Sequence, residues 1–76
     1  MTKIGVISGD GNLPIYIGKS LIEKNFDITF LLLNSIKNKS IYENEKHINI
    51  DKISIKKIIN ILNKNNIKKI IPENPK

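Results

Sequence analysis

The chain of 76 residues has no cysteine, arginine, alanine or glutamine, and it has one histidine. Without cysteine, neither a disulfide nor a thiolate metal site can staple a small core in place of apolar area. The composition fits a reducing cytoplasm. A chain this short buries only about 60% of the surface its unfolded form exposes, so its stability margin is expected to be thin. Long hydrophobic runs are missing too: a membrane span needs about 18 or more apolar residues, whereas the longest run here, residues 28–33, is strand-sized and interrupted only by Thr29. The stretch from Ile4 to Ser8 is too short for the apolar region of a signal peptide. The chain is therefore read as soluble, unexported and cytoplasmic.

The missing arginine also bears on charge. The formal net charge is +6, carried by 13 lysines scattered from Lys3 to Lys76. Arg is the side chain best shaped for bidentate contact with phosphate or guanine, and no basic stripe or recognition motif accompanies the lysines. The 18 Ile, 13 Lys and 11 Asn together make 42 of the 76 residues, a bias that A/T-rich codons produce. No specific nucleic-acid partner is expected.

What is present is a series of short apolar segments punctuated by turn residues. Residues 3–8 (KIGVIS) form a β-branched run closed by Gly9-Asp10-Gly11, which predicts a buried first strand entering a tight turn. Pro14 suits the first turn of a helix, and Asn12 or Asp10 is positioned to cap it. That helix is predicted to run to about Asn25, with Leu13, Ile17 and Leu21 at i, i+4, i+8 on its inner side. Gly18 lies beside the stripe, where a missing side chain lets a helix approach a sheet. Asp27 to Leu33 is predicted to be a second strand covered on both faces. Residues 34–45 are polar and weakly periodic, and are read as a surface connection with one helical turn. Residues 46–50 form a short third strand. Asp51 or Ser54 caps a second helix to about Asn65, with Ile55, Ile58, Ile59 and Leu62 at i, i+3, i+4, i+7. Residues 68–71 form a fourth strand, stopped by Pro72.

The order β-α-β-β-α-β predicts an α/β fold: a partial Rossmann-like, mostly parallel sheet of about four strands and two helices, with right-handed crossovers. A sheet that ought to continue past its fourth strand leaves an open edge, so a homo-oligomer is expected.

Chemistry concentrates in Ser8-Gly9-Asp10-Gly11-Asn12-Leu13-Pro14. Glycines there let backbone N–H groups approach a phosphate, and the helix N-terminus adds partial positive charge. The candidate binding residues are Gly9, Asp10, Gly11 and Asn12. A tight strand-to-helix turn with no ligand explains the same residues, and both readings stand. A dinucleotide site is disfavoured, because Pro14 replaces the third glycine and Leu33-Asn34-Ser35 stands where a ribose-binding acid is expected. The segment is no P-loop either, since the Gly-Lys-Ser/Thr ending is missing. His47 has no second ligand or nucleophile at a recognisable spacing and is read as a surface strand residue. Glu43 and Glu45 are read as solvated charges, leaving Asp10 as the one carboxylate within reach of a ligand. Lys56, Lys57, Lys64, Lys68 and Lys69 are read as a solvated polar face. No catalytic constellation and no metal site emerge.

The segment from Lys3 to Pro14, with an Ile-Gly-hydrophobic run into Gly-x-Gly-x-Leu-Pro, resembles the start of the LpxI-type UDP-2,3-diacylglucosamine pyrophosphatases. The strand at 28–33, Ile48-Asn49-Ile50, the helix from Ile55 to Leu62 and Ile70-Ile71 follow in the family's order. The resemblance implies an N-terminal Rossmann-like domain that works with a C-terminal domain carrying the catalytic acid. It also implies hydrolysis of UDP-2,3-diacylglucosamine to UMP and 2,3-diacylglucosamine 1-phosphate in lipid A synthesis, with a divalent metal, Mg or Mn. Only Gly9, Asp10, Gly11 and Asn12 carry over, as substrate-side positions; no catalytic residue and no cofactor of this chain's own does. The domain expectation is an N-terminal segment at 1–71, an unstructured tail at 72–76, and an absent C-terminal catalytic domain. The implied partners are a separately encoded C-terminal domain and, once that domain is supplied, UDP-diacylglucosamine at the inner membrane face. The alternative is a non-catalytic nucleotide- or partner-binding α/β remnant.

Overall fold

The computed structural model describes residues 2–34, 36–50 and 54–72. In chain order the elements are β1 (Lys3–Ser8), α1 (Leu13–Glu23), β2 (Asp27–Leu33), a 3-10 turn (Lys39–Tyr42), β3 (His47–Ile50), α2 (Ile55–Lys64) and β4 (Lys69–Ile71). The four strands form one sheet in the order β3-β2-β1-β4, and every pairing is parallel. This is the predicted α/β fold.

The two longest strands carry the structure. β1 and β2 run in step from the Lys3–Asp27 pair to the Ser8–Leu32 pair, while β4 meets β1 only over Ile4 to Val6. β3 pairs with the C-terminal part of β2, from the Phe30–His47 pair to the Leu33–Ile50 pair. The chain steps outward from β1 to β2 to β3 and then returns to the other side of β1 for β4. Right-handed connections therefore put α1 and the 3-10 turn on one face and α2 on the other.

The main core lies on the α1 face. Ile4, Val6, Ile15, Ile28, Phe30, Leu32, Leu33, Ile36 and Tyr42 form one buried cluster, each large side chain contributing on the order of 1.5–3 kcal/mol when removed from water. On the opposite face Leu31 and Ile67 close over Gly5, whose absent Cβ would stand 3.2 Å from Leu31 Cδ1 and 3.5 Å from Ile67 Cγ2. β2 is thus buried on both sides, as its unbroken apolar run requires.

Both helices end in the same device. After α1, Asn25 has φ of 70°, its N–H bonds the Ile22 carbonyl, and the Phe26 N–H bonds that of Leu21. After α2, Asn66 has φ of 57°, its N–H bonds the Asn63 carbonyl, and the Ile67 N–H bonds that of Leu62. Each is a Schellman motif with asparagine in the left-handed position that glycine usually takes, and each stops its helix close to the predicted end. The start of α2 also follows prediction in one of its two forms: the Ser54 hydroxyl accepts from the Lys57 N–H at 3.1 Å. Asp51, the other candidate cap, lies outside the described residues, as do Ser35 and all but Pro72 of the predicted tail at 72–76.

Three expectations need correction. The inner side of α1 is only in part the Leu13, Ile17, Leu21 stripe: Leu21 packs against the core and Ile17 is half-buried, but Leu13 is 59% exposed and the buried residues are Pro14, Ile15 and Gly18. The cause is the close approach of Gly18 to Phe30, which fixes the rotation of the helix. In α2, Ile58, Ile61 and Leu62 are half-buried, but Ile55 is 79% and Ile59 48% exposed, so the sheet covers only part of the predicted apolar stripe. Residues 34–45 do carry a helical turn, yet they are more than a surface connection, because Ile36 and Tyr42 enter the core.

Candidate functional site

The glycine loop follows β1 at the C-terminal end of the sheet, the end at which open parallel α/β sheets bind ligands. Its path is dictated residue by residue. Ser8 is fully buried and its hydroxyl donates to the Val6 carbonyl at 3.0 Å, so it is spent on closing the strand. Gly11 has φ of 98°, a conformation that any side chain would strain. Asn12 occupies the N-cap position of α1 without a side-chain cap bond, and the Tyr16 N–H reaches its carbonyl at 3.2 Å.

Asp10 does something the sequence did not suggest. Its carboxylate accepts from the backbone N–H of Lys37 at 3.0 Å, so it does not cap α1 but clamps the glycine loop to the segment leaving β2. The first turn of α1 receives no side-chain cap hydrogen bond from Asn12, and its free amides form the positive end of the helix dipole.

The clamp encloses a small cleft with room of about 40 Å³, lined by Gly9, Asp10, Gly11 and Asn12 on one side and Ile36, Asn38, Ile41 and Tyr42 on the other. All four predicted binding residues thus converge on one concavity. The second wall was missed, since it comes from the segment judged to be a surface connection. The available signal was the apolar Ile36, Ile41 and Tyr42 set in an otherwise polar stretch. Tyr42 is wholly buried, its ring tilted at 56° against that of Phe30 with centroids 5.0 Å apart. Its hydroxyl finds no partner among the described residues, which costs about 1–3 kcal/mol in a buried setting.

Among the described residues, the remaining titratable side chains lie where solvent reaches them. His47 is exposed on the edge strand, with Nδ1 2.8 Å from the Glu45 carbonyl. Glu43 is exposed and Glu45 half-buried. Lys46 pairs with Asp27 at 3.2 Å with both side chains partly open to water, a surface contact of small worth. Lys56, Lys57, Lys64, Lys68 and Lys69 are all exposed. Among the described residues no three His, Cys, Asp or Glu side chains gather to hold a metal. The cleft offers a single carboxylate, already engaged by Lys37, so this donor set does not by itself fit a divalent ion.

A parallel α/β sheet thus carries a glycine loop and a small polar cleft at the C-terminal ends of β1 and β2. The family model for the LpxI N-terminal domain matches residues 3–71. The chain belongs to that family, the LpxI-like proteins of the lipid A pathway. Neither a curated protein nor a solved structure matches it. No described helix is long and apolar enough to cross a membrane.

Proposed function

We propose that this chain is the substrate-side, Rossmann-like part of a UDP-2,3-diacylglucosamine pyrophosphatase, and that catalysis is completed by a domain outside its 76 residues. The observation that carries the reading is the family match over residues 3–71. The cleft supports it: the glycine loop, the N-cap residue of α1 and Asn38 line one small polar space, and a glycine loop at a helix N-terminus is suited to phosphate oxygens. In the reaction, water adds to one phosphorus of the pyrophosphate and the bridging oxygen leaves with the other, giving UMP and 2,3-diacylglucosamine 1-phosphate. An oriented water needs a base or metal-bound partner. On this reading Gly9, Asp10, Gly11 and Asn12 hold and orient a phosphate, while the proton and the water are handled elsewhere.

The diacyl chains put the reaction at the inner membrane face. Ile55 and Ile59 on α2 leave apolar surface open near the exposed Lys56, which is compatible with a peripheral position.

The test is release of UMP from UDP-2,3-diacylglucosamine with Mg²⁺ or Mn²⁺, by the chain alone and by the chain with a separately produced C-terminal domain. Turnover only in the mixture is the expected result. Turnover by the chain alone would overturn the division of labour. Silence in both, with the added domain folded, would favour a non-catalytic nucleotide- or partner-binding role.

A further inference from the structure

We infer that α2 is a membrane-contacting element: Ile55 and Ile59 enter the headgroup layer of an anionic lipid surface, and the lysines around the helix draw the chain to it. The inference goes beyond the pyrophosphatase reading. The right-handed connections put α2 on the face of the sheet opposite α1 and the 3-10 turn, away from the cleft, and its contact with lipid holds whatever the cleft binds.

The fold uses only part of this helix. Ile58, Ile61 and Leu62 are half-buried, no residue of α2 is buried, and Ile55 and Ile59 are exposed. The exposed pair stands at i, i+4, so the two side chains are neighbours on one flank. Covering them would be favourable, and none of the described residues does so. The helix is also fixed before any contact, by the Ser54 cap at its start and the left-handed Asn66 after its end, so it need not fold on binding.

Charge decides what covers the flank. Residues 1–50 hold six lysines and five carboxylates, a near balance, whereas residues 51–76 hold seven lysines and two carboxylates and so carry +5 of the net +6. Within residues 54–72 there are five lysines, all exposed, and no carboxylate. Lys56 lies roughly 60° round the helix axis from Ile59, at the border of the apolar pair. Lys57 and Lys64, on the far side, are about one helix diameter of 10–12 Å away, close to the screening length of about 10 Å, so they still add to the attraction. An anionic headgroup layer meets both features together, apolar side chains below and lysine ammonium groups at the phosphates. A nucleic-acid backbone would use the lysines and leave the isoleucines in water. A second copy docked symmetrically would cover the isoleucines but set lysine against lysine.

The experiment is co-sedimentation of the 76-residue chain with vesicles of phosphatidylcholine alone and of phosphatidylcholine with phosphatidylglycerol, for the wild-type protein, Ile55→Ser/Ile59→Ser and Lys56→Gln, with duplex DNA in a parallel arm. The expected result is salt-sensitive binding to the anionic vesicles and none to phosphatidylcholine alone. Affinity should fall about tenfold in the double serine variant and about fivefold in Lys56→Gln. The chain has no tryptophan, so Ile59→Trp supplies a second reading should the serine variant fail to fold: its emission should shift to the blue on the anionic vesicles. Equal binding to the two vesicle types, a folded serine variant that binds as the wild type does, or tryptophan emission unmoved by anionic vesicles overturns the inference. Retention on DNA without vesicle binding overturns it in favour of a nucleic-acid partner. Self-association through Ile55 and Ile59 that anionic vesicles do not displace would give the flank to a second copy and overturn it too. The vesicles hold no UDP-sugar, so each of these failures leaves the pyrophosphatase reading, which UMP release judges, intact.

Discussion

Gly18 faces the Phe30 ring with no room for a Cβ between them: one built on Gly18 would overlap Cζ and Cε1 of the phenyl group. Alanine is a better helix former than glycine by about 1 kcal/mol, so on an open helix the exchange would stabilise. Here the ring that must move is itself fully buried and held against the tilted ring of Tyr42, and overpacking of this kind costs about 1–3 kcal/mol. Gly18→Ala is expected to lower stability by up to about 2 kcal/mol net in urea denaturation. In a Phe30→Leu background the same change should become neutral or stabilising, because the obstacle is gone. A Gly18→Ala effect independent of residue 30 would show that the contact does not set the position of α1.

The bond from the Lys37 N–H to the Asp10 carboxylate joins residues 27 apart in sequence and holds the two walls of the cleft together. Asp10→Ala should therefore destabilise by about 1 kcal/mol and speed amide exchange at Lys37 well above its rate in the parent. Asp10→Asn keeps an acceptor oxygen and should recover most of the protection. If Lys37 exchange is the same in all three proteins, Asp10 does not organise the cleft and its role must be sought at the ligand.

These two contacts mark where the sequence was informative and where it was not. β1, β2 and the helix ends were legible because they depend on near neighbours: a β-branched run, a glycine turn, a proline at the first helical turn, an asparagine after the last. Half of the cleft, Gly9 to Asn12, was legible for the same reason. The other half was not, since Ile36 and Tyr42 become buried only when β3 pairs beside β2 and draws the intervening segment over the Phe30 face. The rotation of α1 was hidden as well. With 18 isoleucines in 76 residues, almost any helical face reads as apolar, and the decisive feature was the missing side chain at Gly18. The destination of the Asp10 carboxylate was equally beyond reach, because its partner is a backbone amide in a distant loop.

The paired asparagines that end the helices make a separate prediction. Asn25 and Asn66 sit at positive φ, where most L residues pay about 1–2 kcal/mol and asparagine pays less. Asn25→Ala and Asn66→Ala should each lower stability by about 1 kcal/mol, whereas glycine at either position should be neutral or better. Thermal unfolding followed by circular dichroism distinguishes the pairs. An alanine variant as stable as its glycine counterpart would mean that the left-handed turn is not maintained in solution.

The last prediction concerns the uneven cover of α2. Ile55 and Ile59 are 79% and 48% exposed, respectively, while Ile58 is half-buried. If only the inner flank of the helix supports the fold, Ile55→Ser and Ile59→Ser should change stability by no more than about 0.5 kcal/mol each, and Ile58→Ala should cost more, about 1–2 kcal/mol, as befits partial burial. The exposed pair still offers apolar surface, and the outer side of the short β4 is unpaired among the described residues. The same two serine variants should therefore lower the tendency to self-associate, read as sedimentation coefficient against concentration. Loss of stability in Ile55→Ser or Ile59→Ser comparable to that of Ile58→Ala would show that this flank is buried in solution, and the most economical cover for it would then be a second copy of the chain.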